Sequence, residues 1–413
     1  QAEDGIRDQP RSRGLGTGGL HLANAGALQI PSLASSGAVT LATGGNLTIL
    51  SLNAAGQSVA LNVTGAILDG DSASTGVKLS AGSLSVVADG LGSKSNPLET
   101  SVDSLTADMG SGGVFLKDTD AVEVVSASGA GPIAVQAPAG AFEVTEPRTL
   151  TSPLSLESRD IQIDAELSGT RLDVVAPILD GETAPLPMVI GSLVANRTPD
   201  DGVHIDSDEV GRLNFEKIVL GSGQAGQAIW FQTTPGDTSD QLVFRSPVEV
   251  DTLSNTRFSG LIKGRGLQIK GPGSTTYLDG ADIFQTEDVV IDDRVVVNQS
   301  SLIEVIGGKI TINGGIKVAK GQTLQLLADE VKFGPYQVGT GVGIILEEGA
   351  TLVLGTAQIN WSEAVFDSDG GRVVLKGAPD ASQRQARPME PDTVPLAFQP
   401  SAADLERWLG WFD

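Results

Sequence analysis

Two segments of this chain place a pair of aspartates two residues apart in matching surroundings. Residues 113–122 have the sequence GVFLKDTDAV, and residues 202–210 have the sequence GVHIDSDEV. With one residue removed, the aligned pairs are Asp118 with Asp120 and Asp206 with Asp208. Closely spaced carboxylates can bind a hard cation such as Ca²⁺, transfer protons in catalysis, or hold a tight turn by accepting backbone N–H groups.

Neither segment follows a calcium-loop pattern. An EF-hand loop needs a third oxygen ligand two residues after the second Asp, then Gly, then a distant Glu. Here Asp120 is followed by an Ala-Val pair and Asp208 by a Glu-Val pair. The calcium-binding nonapeptide of β-helices is not repeated in the sequence either. The pattern favours turns; a weak calcium site at the four aspartates and a catalytic acid pair stay open, and no other cofactor is indicated.

The residues of common catalytic sites are scarce. The chain has only two histidines, His21 and His204, and it contains no HExxH, GxSxG or GK[ST] motif. The segment GSGQAG at 221–226 fits GxGxxG, but the following residues, QAIWFQTTPG, predict a short strand. A nucleotide site of this type needs a helix there, so that its N-terminus can meet the phosphates.

Polysaccharide lyases and hydrolases on β-helices carry several acids on adjacent coils, often with a Lys or Arg. The further pairs Asp69 with Asp71 and Asp367 with Asp369 are typical of turns. No strand face concentrates acids with Arg or His in the sequence. A groove with three or more acids and a basic residue on neighbouring coils would favour an enzyme; on the sequence alone we predict that the protein is not one.

The last residues could bind a partner. A Pro-rich linker at 378–400 precedes the segment 401–413, SAADLERWLGWFD, which predicts a short amphipathic helix. The apolar side chains that would bind a partner or cap the fold are Leu405, Trp408, Leu409, Trp411 and Phe412. Aromatic residues anchor interfaces, and an open solenoid end needs a cap, so both roles stay open.

The rest of the sequence predicts short β-strands stacked as a solenoid. Gly accounts for 52 of 413 residues and aromatic residues for only 4%, so the apolar content is mostly Val, Leu, Ile and Ala. From about residue 38 to 376, short alternating apolar runs are separated by Gly, Asn, Asp, Ser or Pro. A single sandwich or barrel would not use so many strands, whereas a solenoid would.

Internal similarity gives the size of one coil. The segment 104–122 resembles 192–210, and 63–70 resembles 174–181. The two offsets differ by about one coil of a β-solenoid, roughly 20 residues, which predicts ~17 coils. We therefore divide the chain into a polar lead-in (1–30), a solenoid with an internal duplication (31–210), a less regular continuation (211–377), the linker and the terminal helix.

Charge and composition limit the possible partners. The net charge is −24, so phosphates would be repelled and nucleic acid is an unfavourable partner. The chain has no cysteine, which excludes disulfides and thiolate sites and suits export of an unfolded chain. No apolar run approaches the ~18 residues of a membrane-spanning helix. Gln1 begins a polar stretch, which predicts a cytoplasmic chain or a form without its leader.

The first half resembles the repeat regions of filamentous-haemagglutinin-like and related β-strand-repeat adhesins of bacteria. The residues that carry the resemblance lie at 36–67 (SGAVTLATGGNLTILSLNAAGQSVALNVTGAI), 92–108 (GSKSNPLETSVDSLTAD) and 112–124 (GGVFLKDTDAVEV). The resemblance implies a right-handed parallel β-helix, export to the cell surface, and adhesion or matrix building. The half beyond residue 211 matches this style less well.

These observations lead to one expected function and two alternatives. We expect an all-β, right-handed parallel β-helix with a short C-terminal helix, acting outside the cell or at its surface as a non-enzymatic adhesive or structural protein. Its expected partners are further copies, other surface proteins or glycans. The alternatives are a carbohydrate-active β-helix enzyme and a calcium-dependent assembly module.

Overall fold

The chain folds into stacked parallel β-strands. The computed structural model describes residues 19–71, 76–177, 187–191, 203–221, 228–234, 239–271, 273–334, 343–356, 358–360, 366–368 and 370–376. Strands make up 68% of the described residues and helix 2%, and the strands form a β-solenoid of about 14 turns. The predicted fold class is confirmed. The terminal helix and the linker lie outside the described residues.

Contacts divide the chain into two compact units, Gln1–Ser158 and Arg159–Asp413. This division lies well before residue 210, where the sequence suggested a change of regularity. The predicted lead-in is also too long, because Leu20–Asn24 and Leu28–Ile30 are already strands that pair with the next coil. The first strand alternates exposed and partly buried side chains, with His21 and Ala23 at the exposed positions.

The strands of the first unit range from 2 residues to 21 residues. They are β1 Leu20–Asn24, β2 Leu28–Ile30, β3 Leu33–Ala34, β4 Val39–Thr43, β5 Leu47–Ile49, β6 Leu52–Val63, β7 Ala66–Asp69, β8 Leu79–Leu91, β9 Leu98–Asp118, β10 Val122–Gly129, β11 Ile133–Val144, β12 Arg148–Thr149 and β13 Leu154–Ile163, which crosses the division.

The remaining elements belong to the second unit. They are β14 Leu167–Val175, β15 Met188–Gly191, β16 Val203–Ile205, α1 Ser207–Arg212, β17 Leu213–Leu220, β18 Ile229–Gln232, β19 Gln241–Val243, β20 Val248–Asp251, β21 Thr256–Gly264, β22 Leu267–Lys270, β23 Thr275–Gln285, β24 Val289–Ile291, β25 Arg294–Gln299, β26 Ser301–Val305, β27 Lys309–Ile312, β28 Ile316–Val318, β29 Thr323–Leu327, β30 Glu330–Phe333, β31 Ile344–Leu346, β32 Thr351–Gly355, β33 Gln358–Asn360, β34 Phe366–Ser368 and β35 Arg372–Lys376.

Each coil of the first unit has three strand segments, and each segment stacks on its equivalent in the next coil. Val39 pairs with Val59, a step of 20 residues, on what we call the first face. Leu47 pairs with Ile67 on the second face, and Leu52 pairs with Leu79 on the third. Alternate residues therefore point inward on every face, as in the buried–intermediate alternation of β4.

The second unit repeats this three-face plan with less even steps. One ladder runs through β14, β17, β20, β22, β24, β27, β30 and β33. A second runs through β15, β18, β21, β23, β25, β28, β31 and β34. The step from Thr323 to Thr351 is 28 residues. Such long steps explain why an even spacing of roughly 20 residues overestimated the number of coils.

Glycine makes a corner of the second unit possible. In β21 the register shifts between Phe258 and Gly260, where the strand leaves one face and enters the next. Gly260 has φ of 73°, and a Cβ there would lie 2.0 Å from Thr233 Oγ1. That hydroxyl accepts the Leu261 N–H at 2.7 Å. A bulge of this kind requires both the left-handed backbone and the absence of a side chain.

The second copy of the sequence repeat occupies a different position in the fold. In the first copy, Val114 follows the regular coil order and pairs with Leu91 and Ile133. In the second, β16 pairs with β13 on one side and with β15 on the other, although β15 precedes it in the chain. The similarity of 104–122 and 192–210 therefore predicts the strand but not the order in which that strand is stacked.

Aliphatic residues fill most of the interior, and a cluster of three aromatic rings lies in the second unit. Leu, Ile, Val and Ala dominate the buried side chains. Phe231 and Phe258, on paired strands, stack with ring centroids 4.6 Å apart, and Phe244 meets Phe231 edge-on at 6.0 Å. Within the described segments, no helix is long and apolar enough to span a membrane.

Candidate functional site

The first predicted aspartate pair lies at the corner between the second and third faces of the first unit. Asp118 ends β9 and is fully buried, while Asp120 is exposed in the turn that follows. Asp118 Oδ2 accepts the Thr100 hydroxyl at 2.6 Å and the Val102 N–H at 3.1 Å, and Asp118 Oδ1 accepts the Asp120 N–H at 3.1 Å. The turn interpretation is confirmed here, although the two carboxyl groups do not share an outer face.

Burial changes the acidity of Asp118. Loss of solvent, together with a hydrogen bond with the Asp120 side chain, raises its pKa to about 7, against the hydrogen bonds from Thr100 and the backbone, which lower it. The exposed Asp120 accepts the Ser101 hydroxyl at 3.3 Å. Both oxygens of Asp118 are thus engaged by its own chain, and this carboxyl group mainly joins one coil to the next.

Three further ionisable residues meet at the same corner, and the sequence did not single them out as a group. Asp69 ends β7, Lys78 directly precedes β8, and Glu99 is the second residue of β9. The Lys78 N–H donates to the Glu99 carbonyl at 2.8 Å, so successive coils bring these residues together. We call Asp69, Lys78, Glu99, Asp118 and Asp120 the acidic corner.

Glu99 lies against Asp69. Burial and the neighbouring Asp69 carboxyl group together raise the pKa of Glu99 to about 7, against the charge of Lys78, which lowers it. Asp69 Oδ2 and Glu99 Oε2 are both buried and receive no N–H or hydroxyl hydrogen bond from the described residues. Asp69 Oδ1 accepts the Asp71 N–H at 2.8 Å. Lys78 is only 4% exposed.

The second predicted pair is arranged differently. Asp206 is the N-cap of α1 and Asp208 lies in its first turn, with both side chains exposed. Asp206 Oδ1 accepts the Glu209 N–H at 2.8 Å, and Glu209 Oε2 accepts the Asp206 N–H at 2.7 Å, which is a capping box. The equivalence of this pair with Asp118 and Asp120 is therefore wrong in three dimensions, because one segment continues into a turn and the other into a helix.

Glu209 is the buried acid of this second region. Its Oε1 accepts the Ile163 N–H at 3.0 Å, and burial raises its pKa to about 7. Arg212 of the same helix donates to the Ile163 carbonyl. His204 is partly exposed in β16, and its Nε2 lies 2.8 Å from the Gly191 carbonyl oxygen. These contacts attach the inserted helix to the solenoid.

A third buried carboxyl group repeats the arrangement of Asp118 in the second unit. Asp293 is 1% exposed and accepts the Ser274 hydroxyl at 2.9 Å and the Thr276 hydroxyl at 2.8 Å. Burial raises its pKa to about 6 against those two hydrogen bonds. Sequence reasoning missed it. The sequence pattern that could have identified it is a Thr that precedes an Asp in a turn by about one coil. Thr276 with Asp293 and Thr100 with Asp118 both follow this pattern.

The structure adds no metal or partner site at the other predicted site residues that it describes. Across the described ranges, no three His, Asp or Glu side chains are grouped so that they could hold a metal ion. The calcium site at Asp118, Asp120, Asp206 and Asp208 stays a prediction. The predicted partner-binding residues Leu405, Trp408, Leu409, Trp411 and Phe412 lie outside the described residues.

Comparisons of the chain with protein-family models, with curated proteins and with solved structures find no match.

Proposed function

We propose that this protein is a non-enzymatic β-solenoid that acts by contact, as an adhesive or structural component at the bacterial cell surface or outside the cell. The observation that supports this most directly is the use of the buried acids. Asp118, Glu209 and Asp293 each accept at least two hydrogen bonds from their own chain. Groups used in this way stabilise coils and corners and have little freedom to act on a substrate.

The outward side chains support the same proposal. Glu249 is bound by Lys217 at 2.6 Å and by Lys270 at 2.8 Å, across three neighbouring strands of one ladder. Burial alone would raise the pKa of Glu249, but the two lysines outweigh it and lower that pKa. Similar pairs join Arg265 to Glu287 and other residues of adjacent coils. An exposed pair such as Arg265 with Glu287 contributes only about 0–1 kcal/mol, yet such pairs order a surface that is suited to display.

The surface location is a proposal that depends on the sequence. The absence of cysteine suits a chain that is exported unfolded. The resemblance of residues 36–67 to adhesin repeats favours the same compartment. The net charge of −24 would keep a strand-rich protein soluble and would discourage edge-to-edge aggregation.

The test measures adhesion and catalysis in the same preparation. The full chain is incubated with intact bacterial cells, and the bound fraction is quantified; it is also incubated with a panel of polysaccharides, and newly formed chain ends are measured. We expect binding that saturates, without new chain ends. Release of chain ends by the wild-type protein, together with loss of that release in Glu99→Gln, would overturn the proposal.

One observation favours a second candidate, a carbohydrate-active enzyme. The acidic corner carries more than three acids and a buried lysine on neighbouring coils, which is the composition expected of a β-helix enzyme. Glycosidase carboxyl groups, however, stand ~5 to 9.5 Å apart, whereas Glu99 contacts Asp69 directly. The arrangement therefore suits a buried acidic pair better than glycoside hydrolysis, and Glu99→Gln separates the two functions.

A further inference from the structure

Large planar side chains are concentrated on one outer face of the second unit. In the described part of the chain, Trp230 is the only tryptophan and Tyr277 the only tyrosine. Arg257 pairs with Trp230 in the register of β18 with β21, and with Tyr277 in the register of β21 with β23. The three residues therefore form one line across consecutive strands, with the rings about 10 Å apart at ~4.8 Å per strand.

This line points outward. On both sides of Trp230 and Arg257, the alternate residues are buried: Ile229 and Phe231 in one strand, and Phe258 in the next. Trp230 and Tyr277 are partly exposed, and the Arg257 side chain is 50% exposed. The Arg257 guanidinium lies over the Tyr277 ring, 5.3 Å from its centroid, and its Nε is 3.0 Å from Asp279 Oδ2. Two partners thus hold the guanidinium in a fixed orientation.

Hydrogen-bonding side chains lie beside the planar ones. The partly exposed Ser259 lies two residues beyond Arg257 in the same strand, and the exposed Asn298 donates to Asp279 Oδ1 at 2.9 Å. An indole, a guanidinium and a phenol next to an amide, a hydroxyl and a carboxylate form a surface that is both flat and polar. A pyranose ring has the matching chemistry, because its C–H faces pack on planar groups while its hydroxyls donate and accept hydrogen bonds.

We propose that the line Trp230–Arg257–Tyr277, which we call the planar strip, binds a neutral polysaccharide chain. The ligand is neutral because Asp279 already offsets the charge of Arg257, and because a protein of net charge −24 repels polyanions. A linear polymer fits because the strip repeats across strands rather than closing into a pocket. This inference rests on the proposed function, for which it names the ligand class and the face that binds it.

Affinity electrophoresis of the full chain tests the proposal. Native gels contain hydroxyethylcellulose, glucomannan or xyloglucan as neutral probes, and polygalacturonate as the acidic probe. We expect at least one neutral polymer to retard the protein and polygalacturonate to leave its mobility unchanged. Trp230→Ala and Tyr277→Ala should each raise the dissociation constant about tenfold. Trp230→Phe keeps a ring and should give an intermediate value.

Phe115→Ala is the matched control, because Phe115 is a partly exposed aromatic residue on an outer position of the first unit. It should bind like the wild type. Thermal unfolding identifies any variant that is merely misfolded. If Trp230→Ala is misfolded, the affinity of Trp230→Phe shows whether the ring at this position binds the polymer. Wild-type mobility in Trp230→Ala, an equal loss in Phe115→Ala, retardation by polygalacturonate alone, or no retardation by any neutral probe would each overturn the proposal.

Two outcomes separate this inference from the proposed function. If the wild type adheres to cells but no neutral polymer retards it, the planar strip is not the binding face and the adhesive function stands. If a retarding polymer is also shortened, and Trp230→Ala abolishes its retardation, the planar strip is supported and the non-enzymatic function fails. Self-association that Trp230→Ala removes, without retardation by polymer, would assign the face to contact between copies and overturn the inference.

Discussion

At the scale of single residues, buried carboxyl groups act as connections between coils. Asp118 and Asp293 lie in different units, yet each ends a strand or turn and accepts a threonine hydroxyl from the preceding coil. Burying such a group without partners would be costly, and the hydroxyl and N–H donors offset that cost. The repeated aspartates of the sequence are therefore better understood as hydrogen-bond acceptors that stabilise the fold than as metal ligands.

The hydroxyl of Thr100 provides a direct test of this role. Thr100→Val keeps the shape of the side chain and removes the 2.6 Å hydrogen bond to Asp118. We expect the free energy of unfolding to fall by about 1–3 kcal/mol, because Asp118 remains buried with one donor fewer. Denaturant unfolding measures the change. Thr106→Val, at an exposed position of the same strand, is the control; equal losses in both variants would contradict the explanation.

At the scale of elements, local backbone geometry determines where the coils turn and where they are interrupted. Gly260 allows β21 to pass from one face to the next, and α1 with β16 interrupts the regular stacking order of the second unit. Each feature depends on a few residues: the corner requires a glycine at 260, and the helix requires the capping side chain of Asp206.

The corner at Gly260 is expected to tolerate no side chain. Gly260→Ala would combine a left-handed backbone with a Cβ only 2.0 Å from Thr233 Oγ1, which would displace the hydroxyl from Leu261 N–H. We expect a loss of about 3 kcal/mol in unfolding free energy. Gly321→Ala is the matched control, since Gly321 has φ of 70° with nothing within 4 Å of its Cβ position. Its loss should be about 1 kcal/mol; a larger loss there than at Gly260 would refute the account.

The capping box of α1 distinguishes Asp206 from Asp208. Asp206→Ala removes the acceptor of the Glu209 N–H, so we expect a loss of about 1 kcal/mol in unfolding free energy. Asp208→Ala should change stability by no more than about half of that, because Asp208 contributes only charge in the first turn. Thermal unfolding with calcium and with a chelator is measured in parallel. A calcium-dependent melting temperature lost equally in both variants would favour the metal interpretation instead.

At the scale of the whole molecule, the buried acids should make stability rise on mild acidification. The folded-state pKa values of Glu99, Asp118 and Glu209 are about 7, and that of Asp293 is about 6, against about 4 in an unfolded chain. Between these values the folded chain binds more protons than the unfolded one. Stability from these groups is therefore fully present below about pH 4 and is lost as the pH rises through about 7.

We expect a higher melting temperature at about pH 5 than at about pH 8. The lowered pKa values of Glu249 and Glu347 act in the opposite direction, but fewer groups are involved. Relief of the net charge of −24 adds to the effect of acid. Glu99→Gln should flatten the dependence, whereas Asp103→Asn, at an exposed position of β9, should not. A melting temperature that falls from pH 8 to pH 5 would show that the buried acids are charged in the folded state.

The sequence by itself determined the type of fold and the interior, because alternation of apolar and polar residues between glycine-rich turns permits few other stacked arrangements. It also placed Asp118 at a turn, since that role depends on neighbours within a few residues, but it predicted a turn at Asp206 as well, where the structure has the N-cap of α1. Only the tertiary structure decided which coils meet. Asp69 and Glu99 are 30 residues apart, and Trp230 and Tyr277 are 47 apart, in a chain whose coil length varies. Contacts between coils depend on the sum of every insertion between them, so local patterns could not place the acidic corner or the planar strip.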